Sequence, residues 1–300
     1  VDPRVEGTEL YVGAESGRVW EIVAHRREGV IDRRLVAQLD GRQVHSIVAA
    51  ELDPASPGDE LLVFTEPDEL WQLTPRSDGR DGFDATMLAE TDGRIRDALV
   101  VAPSGPVHPM DGGGPVDRLL VASRAGWIGW LEALAPQPRF ERLHERAFGR
   151  GRVAAAVAGE VHGEVPVAYS TAEDGTIWRH FRLAEDAPGA PLRSEVIYAG
   201  PQGPRGIAAG RFQADDESET VAVFGYSGRV ELLSHPESGV GPWEVETLFS
   251  DRAAGHWLST AELDGRNATD ELVLCGYSGR VVLLARPPGY GLEDVAVGTD

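Results

Sequence analysis

The chain has 300 residues, a formal charge of −21, and 28 basic residues that are all arginine. The absence of lysine excludes Schiff-base and pyridoxal-phosphate chemistry and a Walker-type nucleotide loop, since each requires a lysine amine. The acidity argues against nucleic acid as a partner, because nucleic-acid binders need a basic surface. No apolar run approaches the roughly 20 residues that span a bilayer, so we expect no membrane span. The single cysteine, Cys275, excludes an internal disulfide and a cysteine-based zinc site.

One pattern occurs six times along the chain: an apolar strand, a turn of small or acidic residues, and a second apolar strand. The copies occupy residues 9–22, 60–73, 118–131, 165–181, 220–233 and 271–284. The turn is anchored in successive copies by Gly17, Asp68, Gly126, Gly175, Gly228 and Gly279. These anchors are 51, 58, 49, 53 and 51 residues apart. Self-similarity at such a period is the signature of a repeat architecture.

Each hairpin is followed by a further apolar strand, and all but the first hairpin are also preceded by one. The preceding strands are expected at 46–53, 98–103, 154–160, 206–212 and 258–264. The following strands are expected at 33–41, 84–93, 140–147, 194–200, 243–251 and 292–300. Four short strands per repeat without helical periodicity are typical of a propeller blade. The sequence therefore predicts an all-β fold, a six-bladed β-propeller of four-stranded antiparallel blades around a central channel.

The propeller is expected to form a single domain over residues 1–300. Its blades fall at approximately 1–44, 45–94, 95–150, 151–204, 205–255 and 256–300. Blade 1 lacks a first strand, so we expect residues upstream of Val1 to supply it; alternatively, the C-terminal segment closes the ring by pairing with blade 1. The Gly- and Pro-rich stretch 103–115 is read as a loop inserted in blade 3.

Two segments carry a family resemblance. AELDGRNATDELVLCGYSG (261–279) and AELDPASPGDELLVF (50–64) resemble FG-GAP or VCBS-type repeats, in which an Asp-Gly-rich loop leads into an apolar strand. In that family the loop often holds calcium through oxygen ligands. Here Arg266 and Ala268 follow Asp264 at positions where further ligands would stand, and prolines interrupt the other copy. These departures argue against calcium at the two loops.

Two sets of residues are expected to face the mouth of the channel. The inner set, at the start of each first strand in blades 2 to 6, is His45, Asp97, Ala154, Arg205 and His256. The outer set, two residues before each turn anchor, is Glu15, Glu66, Arg124, Glu173, Tyr226 and Tyr277. Residue types that vary within repeated strands are typical of a binding face on a scaffold. For the outer set alone, solvated turn residues are the simpler interpretation.

Blades 5 and 6, together with His45 two blades away in blade 2, carry the residues best suited to acid–base chemistry. His256, Tyr277, His45 and Tyr226 are the candidate proton donors and acceptors, and Arg205 is a candidate carboxylate ligand. Some propeller-fold polysaccharide lyases and sugar dehydratases, which the chain resembles in fold and repeat type, use a His/Tyr pair in this way. Trp257 is a candidate for stacking on a sugar, whereas Trp20, Trp71 and Trp178 share a third-strand position that favours packing between blades.

The sequence is therefore compatible with three interpretations. The first is a small-molecule or carbohydrate ligand, such as a carboxylate-bearing one, with elimination or dehydration by a lyase-type enzyme. The second uses His45, His256 and Asp97 to hold a divalent metal. The third is a non-catalytic propeller, either a lectin or a protein-interaction platform, and the dissimilar blades argue against a multivalent lectin. The lack of lysine indicates a GC-rich bacterial genome, and this repeat type is frequent in exported proteins.

Overall fold

The structure is a computed structural model that describes thirteen stretches of the chain. These are residues 8–25, 30–50, 60–76, 82–101, 118–133, 138–145, 152–156, 167–181, 193–212, 220–235, 242–261, 270–285 and 293–299. Within them the chain forms 23 β-strands and no helix, and the strands pair antiparallel in six sheets. The all-β prediction is confirmed. The chain divides into two compact units, Val1–Ala147 and Phe148–Asp300.

Unit 1 contains sheets 1 to 3, in which strands that follow one another in sequence are neighbours. Sheet 1 has three strands in the described residues: β1 (Thr8–Gly13), β2 (Arg18–His25) and β3 (Val30–Gln38). Sheet 2 contains β4 (Gln43–Ala50), β5 (Glu60–Glu66), β6 (Glu69–Pro75) and β7 (Phe83–Glu90). Sheet 3 contains β8 (Ile95–Val101), β9 (Arg118–Ser123), β10 (Trp127–Ala133) and β11 (Arg139–Glu145).

Unit 2 contains sheets 4 to 6, each a four-stranded meander. Sheet 4 contains β12 (Arg152–Ala156), β13 (Val167–Thr171), β14 (Thr176–Phe181) and β15 (Arg193–Ala199). Sheet 5 contains β16 (Pro204–Gly210), β17 (Thr220–Gly225), β18 (Arg229–Ser234) and β19 (Glu244–Ser250). Sheet 6 contains β20 (Gly255–Ala261), β21 (Glu271–Gly276), β22 (Arg280–Ala285) and β23 (Glu293–Thr299).

The second strand of a sheet is its most deeply buried element. All six residues of β17 are buried, whereas β19, the last strand of the same sheet, is exposed along most of its length. A strand that is paired on both edges and covered on both faces has a sequence that is apolar at nearly every position. Successive sheets supply that cover: in unit 2, Phe224 of sheet 5 packs in one cluster with Leu272 and Leu274 of sheet 6. Full burial of each such side chain contributes about 1.5–3 kcal/mol.

The predicted packing role of the repeated tryptophans is seen most directly at Trp71. Its ring packs against the core between sheets 1 and 2, and its Nε1 donates to Glu69 Oε2 at 2.9 Å. Trp178 makes a similar local bond, from Nε1 to Thr176 Oγ1 at 3.1 Å. Trp71 therefore contributes to the packing between sheets 1 and 2, whereas the bond of Trp178 lies within its own strand. The loop at 103–115 and both FG-GAP-like loops, 51–59 and 262–269, lie outside the described residues.

Candidate functional site

The hairpin turn between the second and third strands lies at the same end of each four-stranded sheet as the start of the first strand. This follows from antiparallel order, and we term it the turn end. In four sheets the first strand carries a β-bulge at this end, between Val44 and Ser46, Ile95 and Asp97, Pro204 and Gly206, and Gly255 and Trp257. A bulge inserts one residue and changes the direction in which its side chain points.

The bulged residues are His45, Arg96, Arg205 and His256. His45, Arg205 and His256 are therefore equivalent, as the sequence predicts. In sheet 3 the predicted residue was Asp97, but the register pairs Asp97 with Ala122 and leaves Arg96 as the bulge.

The predicted position in sheet 4 also shifts. Ala154 pairs with Tyr169 in regular register, and the position equivalent to the bulges is residue 151, outside the described residues. A one-residue bulge leaves no sequence signal, which is why alignment by apolar pattern chose Asp97 in place of Arg96. Ala154 was assigned three residues beyond position 151, because the run of small residues at 154–156 gives no anchor for the start of the strand.

In unit 1 the bulged histidine contacts the turn of its own sheet. His45 Nε2 lies 3.3 Å from Glu66 Oε2, and Arg94, just before β8, also pairs with Glu66. Burial and the positive charge of Arg94 hold the pKa of His45 below its ordinary value, outweighing Glu66. Burial alone would raise the pKa of Glu66, but the bond from His45 and the charge of Arg94 hold it below its usual range. At neutral pH the cluster is therefore a neutral imidazole beside an arginine–carboxylate pair.

In unit 2 the bulged Arg205 is almost completely buried, with 3% of its surface exposed. Its guanidinium carbon lies 4.5 Å from the centre of the Tyr226 ring, and the same group donates to the Tyr226 hydroxyl. It also donates to Glu173 Oε1 of sheet 4 at 3.2 Å. Gly203 lies against the same ring, since a Cβ there would come within 2.4 Å of it. Arg205 thus binds two of the predicted outer residues instead of facing a free ligand.

The third bulge–turn contact is aromatic. The His256 ring packs edge-on against the Tyr277 ring, with centroids 5.5 Å apart and planes at 84°. Trp257, the next residue, is 41% exposed, while Tyr226 is 46% and Tyr277 65% exposed. Backbone contacts keep sheets 5 and 6 adjacent here, because a Cβ on Gly206 would lie 2.9 Å from the carbonyl carbon of Trp257. We term the surface formed by Tyr226, Trp257 and Tyr277 the aromatic end of unit 2.

The remaining predicted residues stand apart from these contacts. Glu15 and Arg124 are exposed turn residues, and the described part of sheet 1 contains no first strand that would bring a bulge to Glu15. His45 lies in unit 1, whereas Arg205 and His256 lie in unit 2. Sequence reasoning missed Arg94, since it lies in a connection between repeats where no periodicity marks it.

A small groove lies beside Tyr226 in unit 2. Its walls include Tyr198, Gly200, Tyr226 and Glu231, and its volume is ≈ 10 Å³. That volume accommodates about one water molecule, whereas ligand pockets are commonly about 300–1,000 Å³. The groove is therefore too small for a sugar ring.

Among the described residues, no group of three or more His, Cys, Asp and Glu side chains is placed to hold a metal ion. The predicted metal set spans both units, with His45 and Asp97 in unit 1 and His256 in unit 2. Nor does the described part of the chain contain a helix of the length and hydropathy needed to cross a membrane.

Comparison with known proteins supports the fold. No protein-family model matches the sequence, and a search of curated proteins returns no match. Among solved structures, BBS1N, crystallised in complex with ARL6DN, is similar with a TM-score of 0.58 and 13% sequence identity. The match covers 99% of this chain and 86% of that one. The chain therefore has a β-propeller fold. At this identity the likeness concerns the fold alone.

Proposed function

We propose that this protein is a non-catalytic β-propeller that docks a protein partner through the aromatic end of unit 2. The observation that carries the proposal is the exposure of Tyr226, Trp257 and Tyr277 at one end of two adjacent sheets. Tyrosine, tryptophan and arginine dominate the residues whose truncation weakens protein complexes most. Large apolar side chains that cluster on a surface mark an interaction site more often than isolated ones do.

Two of these rings are held in place before any partner arrives. Arg205 and Gly203 confine Tyr226, and His256 lies against Tyr277. Immobilising a side chain on binding costs about 0.5–1.5 kcal/mol, so a ring that is already fixed retains more of its contact energy. This arrangement favours a docking surface.

The polar groups of the predicted site favour the same function. Arg205, the candidate carboxylate ligand, is buried against Glu173 and Tyr226, and the groove beside Tyr226 is too small for a sugar. The similar propeller BBS1N was crystallised in a complex with another protein, which is an analogy of fold that supports this reading. The count of six blades and the FG-GAP or VCBS assignment belong to the same proposal, and the repeat of about 52 residues supports both.

The test compares what the intact protein and its variants retain. Trp257→Ala and Tyr277→Ala remove exposed rings from the aromatic end, and Val196→Ala removes an equally exposed side chain, 48% accessible, from β15. Each immobilised protein is incubated with extract of the source cells, and retained proteins are quantified by mass spectrometry. We expect a partner held by wild type and Val196→Ala and lost by both aromatic variants. Equal retention by all four proteins would refute the proposal.

The second candidate function is binding and acid–base cleavage of a carbohydrate. The edge-on contact of His256 with Tyr277, beside exposed Trp257, also fits a carbohydrate ligand with acid–base elimination. The assay follows the ultraviolet absorbance of unsaturated product from uronate polymers. Turnover that disappears in His256→Ala, with the fold intact, would favour this function over the platform.

A further inference from the structure

We infer that the partner presents an acidic segment to the aromatic end of unit 2, an inference that rests on the proposed function. Its starting point is a sequence identity between two turns. Tyr-Ser-Gly-Arg occupies residues 226–229 in sheet 5 and again 277–280 in sheet 6. Each turn therefore places a tyrosine and an arginine at the turn end of its sheet.

In the first turn the arginine is exposed to solvent and the carboxylate that it pairs with is buried. Arg229 Nη2 is 2.8 Å from Glu231 Oε1, and the exposed side-chain fractions are 46% and 7% respectively. The second oxygen of Glu231 accepts a hydrogen bond from the Tyr198 hydroxyl at 3.0 Å. Because both carboxylate oxygens are engaged below the surface, the group that solvent or a partner meets is the guanidinium.

The second turn also has an exposed arginine paired with a buried carboxylate, here that of Asp251. Arg280 Nη2 is 3.0 Å from Asp251 Oδ2, with exposed side-chain fractions of 39% and 5%. Ser278 Oγ donates to the same carboxylate at 2.8 Å. Burial alone would raise the pKa of Asp251, but the bonds from Ser278 and Arg280 hold it below its usual value. The outward-facing charge is again that of an arginine.

Arg252 adds a third guanidinium to this surface. It lies in the connection between β19 and β20, four residues before His256, and it is exposed. Within the described part of the chain it makes neither a hydrogen bond nor an ion pair. Its five donors are therefore available to a partner, and their planar fork matches a carboxylate.

Charge complementarity decides the class of partner. The chain as a whole carries −21, so an acidic partner is repelled by its net charge. It is attracted where the guanidinium ends of the Arg229 and Arg280 ion pairs and the side chain of Arg252 face outwards. Repulsion elsewhere and attraction here together select one docking position. A nucleic acid would also meet the arginines, but its affinity depends on phosphate neutralisation that so acidic a protein opposes. The aromatic side chains beside the arginines favour a protein segment in which Asp or Glu alternates with apolar residues.

Three synthetic peptides of one pattern test the inference. They carry Phe and Leu at fixed positions and Glu, Gln or Lys at the others, and each is labelled for fluorescence anisotropy, with labelled oligouridylate alongside. We expect the Glu peptide to bind most tightly and to weaken as salt is added. Arg252→Glu should reduce its affinity about fivefold, because an exposed ion pair contributes up to about 1 kcal/mol. The matched variant Arg193→Glu, an exposed arginine of β15, should leave it unchanged.

Equal or tighter binding of the Lys peptide, the Gln peptide or oligouridylate would overturn the acidic assignment, as would an unchanged affinity in Arg252→Glu. Trp257→Ala separates this failure from failure of the proposed function. If the Gln peptide binds as tightly as the Glu peptide and Trp257→Ala abolishes both, the docking surface stands and the acidic preference is wrong. If Trp257→Ala changes no peptide affinity, the docking surface itself is wrong.

Discussion

Replacing Arg205 by methionine tests whether the bulge–turn contact stabilises unit 2. The apolar stem of arginine accounts for much of its burial, so a methionine of similar length keeps most of the hydrophobic contact at a site with 3% exposure. The substitution removes the bond to Glu173, the bond to the Tyr226 hydroxyl and the stacking on the Tyr226 ring. Arg205→Met is therefore expected to destabilise the protein.

The magnitude follows from the exposure of each partner. The Glu173 side chain is 39% exposed, so its bond is screened and is worth about 0.5–1 kcal/mol. The bond to the tyrosine hydroxyl contributes about 1 kcal/mol, and the cation–π contact about 0.5–1 kcal/mol. Relief of arginine desolvation offsets part of this sum. We expect a net loss of about 1–2 kcal/mol, or about 2–8 °C in Tm for a unit of this size.

Urea unfolding followed by tryptophan fluorescence measures the effect, with Arg252→Met as the matched control. Arg252 is exposed and makes no ion pair among the described residues, so its substitution should change the free energy of unfolding by less than about 0.5 kcal/mol. Equal urea midpoints for the two variants would refute the reasoning, because the buried contacts of Arg205 would then contribute nothing.

Two further predictions concern pH and turn glycines. Because the folded state holds the pKa of His45 below its ordinary value of about 6.5, the unfolded chain takes up this proton first. Keeping His45 neutral therefore contributes to the free energy of unfolding. This contribution is fully present above about pH 6.5 and is lost as the pH falls from there towards the pKa of His45 in the folded state. Measured by urea unfolding across that range, His45→Gln should remove this component, and an unaltered pH profile would contradict the assignment. The twin turns supply a matched pair, since Gly228 and Gly279 have φ of +71° and +73°. A Cβ on Gly228 would lie 2.6 Å from the Asp251 carbonyl oxygen, whereas on Gly279 it meets no described atom within 4 Å. Gly279→Ala should lower the free energy of unfolding by about 1 kcal/mol, because alanine disfavours the left-handed conformation. Gly228→Ala should lower it clearly more, because its Cβ also meets the Asp251 carbonyl oxygen. Equal decreases in Tm for the two variants would contradict this prediction.

The repeat and the strand order could be predicted because they depend on local chemistry. Apolar runs of strand length, interrupted by turn residues such as Gly175 and Gly228, occur at nearly constant spacing. Alternation and turn chemistry act within a few residues, so they are visible in the sequence. The residues two positions before each anchor lie at the hairpin turns for the same reason, since a turn anchor fixes its neighbours.

The inner residues show where sequence reasoning fails. Asp97 was predicted at a position that the bulge gives to Arg96, and no propensity or period reveals a one-residue insertion in a strand. Likewise, nothing in the sequence indicates that Arg205 reaches Glu173, 32 residues away, and so is not available to a ligand. Whether a polar residue is free or paired depends on which side chains the fold brings within hydrogen-bond distance.

The sequence by itself determined the strands, their repeat and the residues of the turns, because each depends on neighbours a few positions apart. Only the tertiary structure decided which of those residues face solvent. Tyr226 and Tyr277 occupy identical Tyr-Ser-Gly-Arg turns, yet one ring lies beside a buried arginine and the other against a histidine. Burial and pairing are properties of the packed sheets, and they place the aromatic rings and the arginine charges outside while the carboxylates lie beneath.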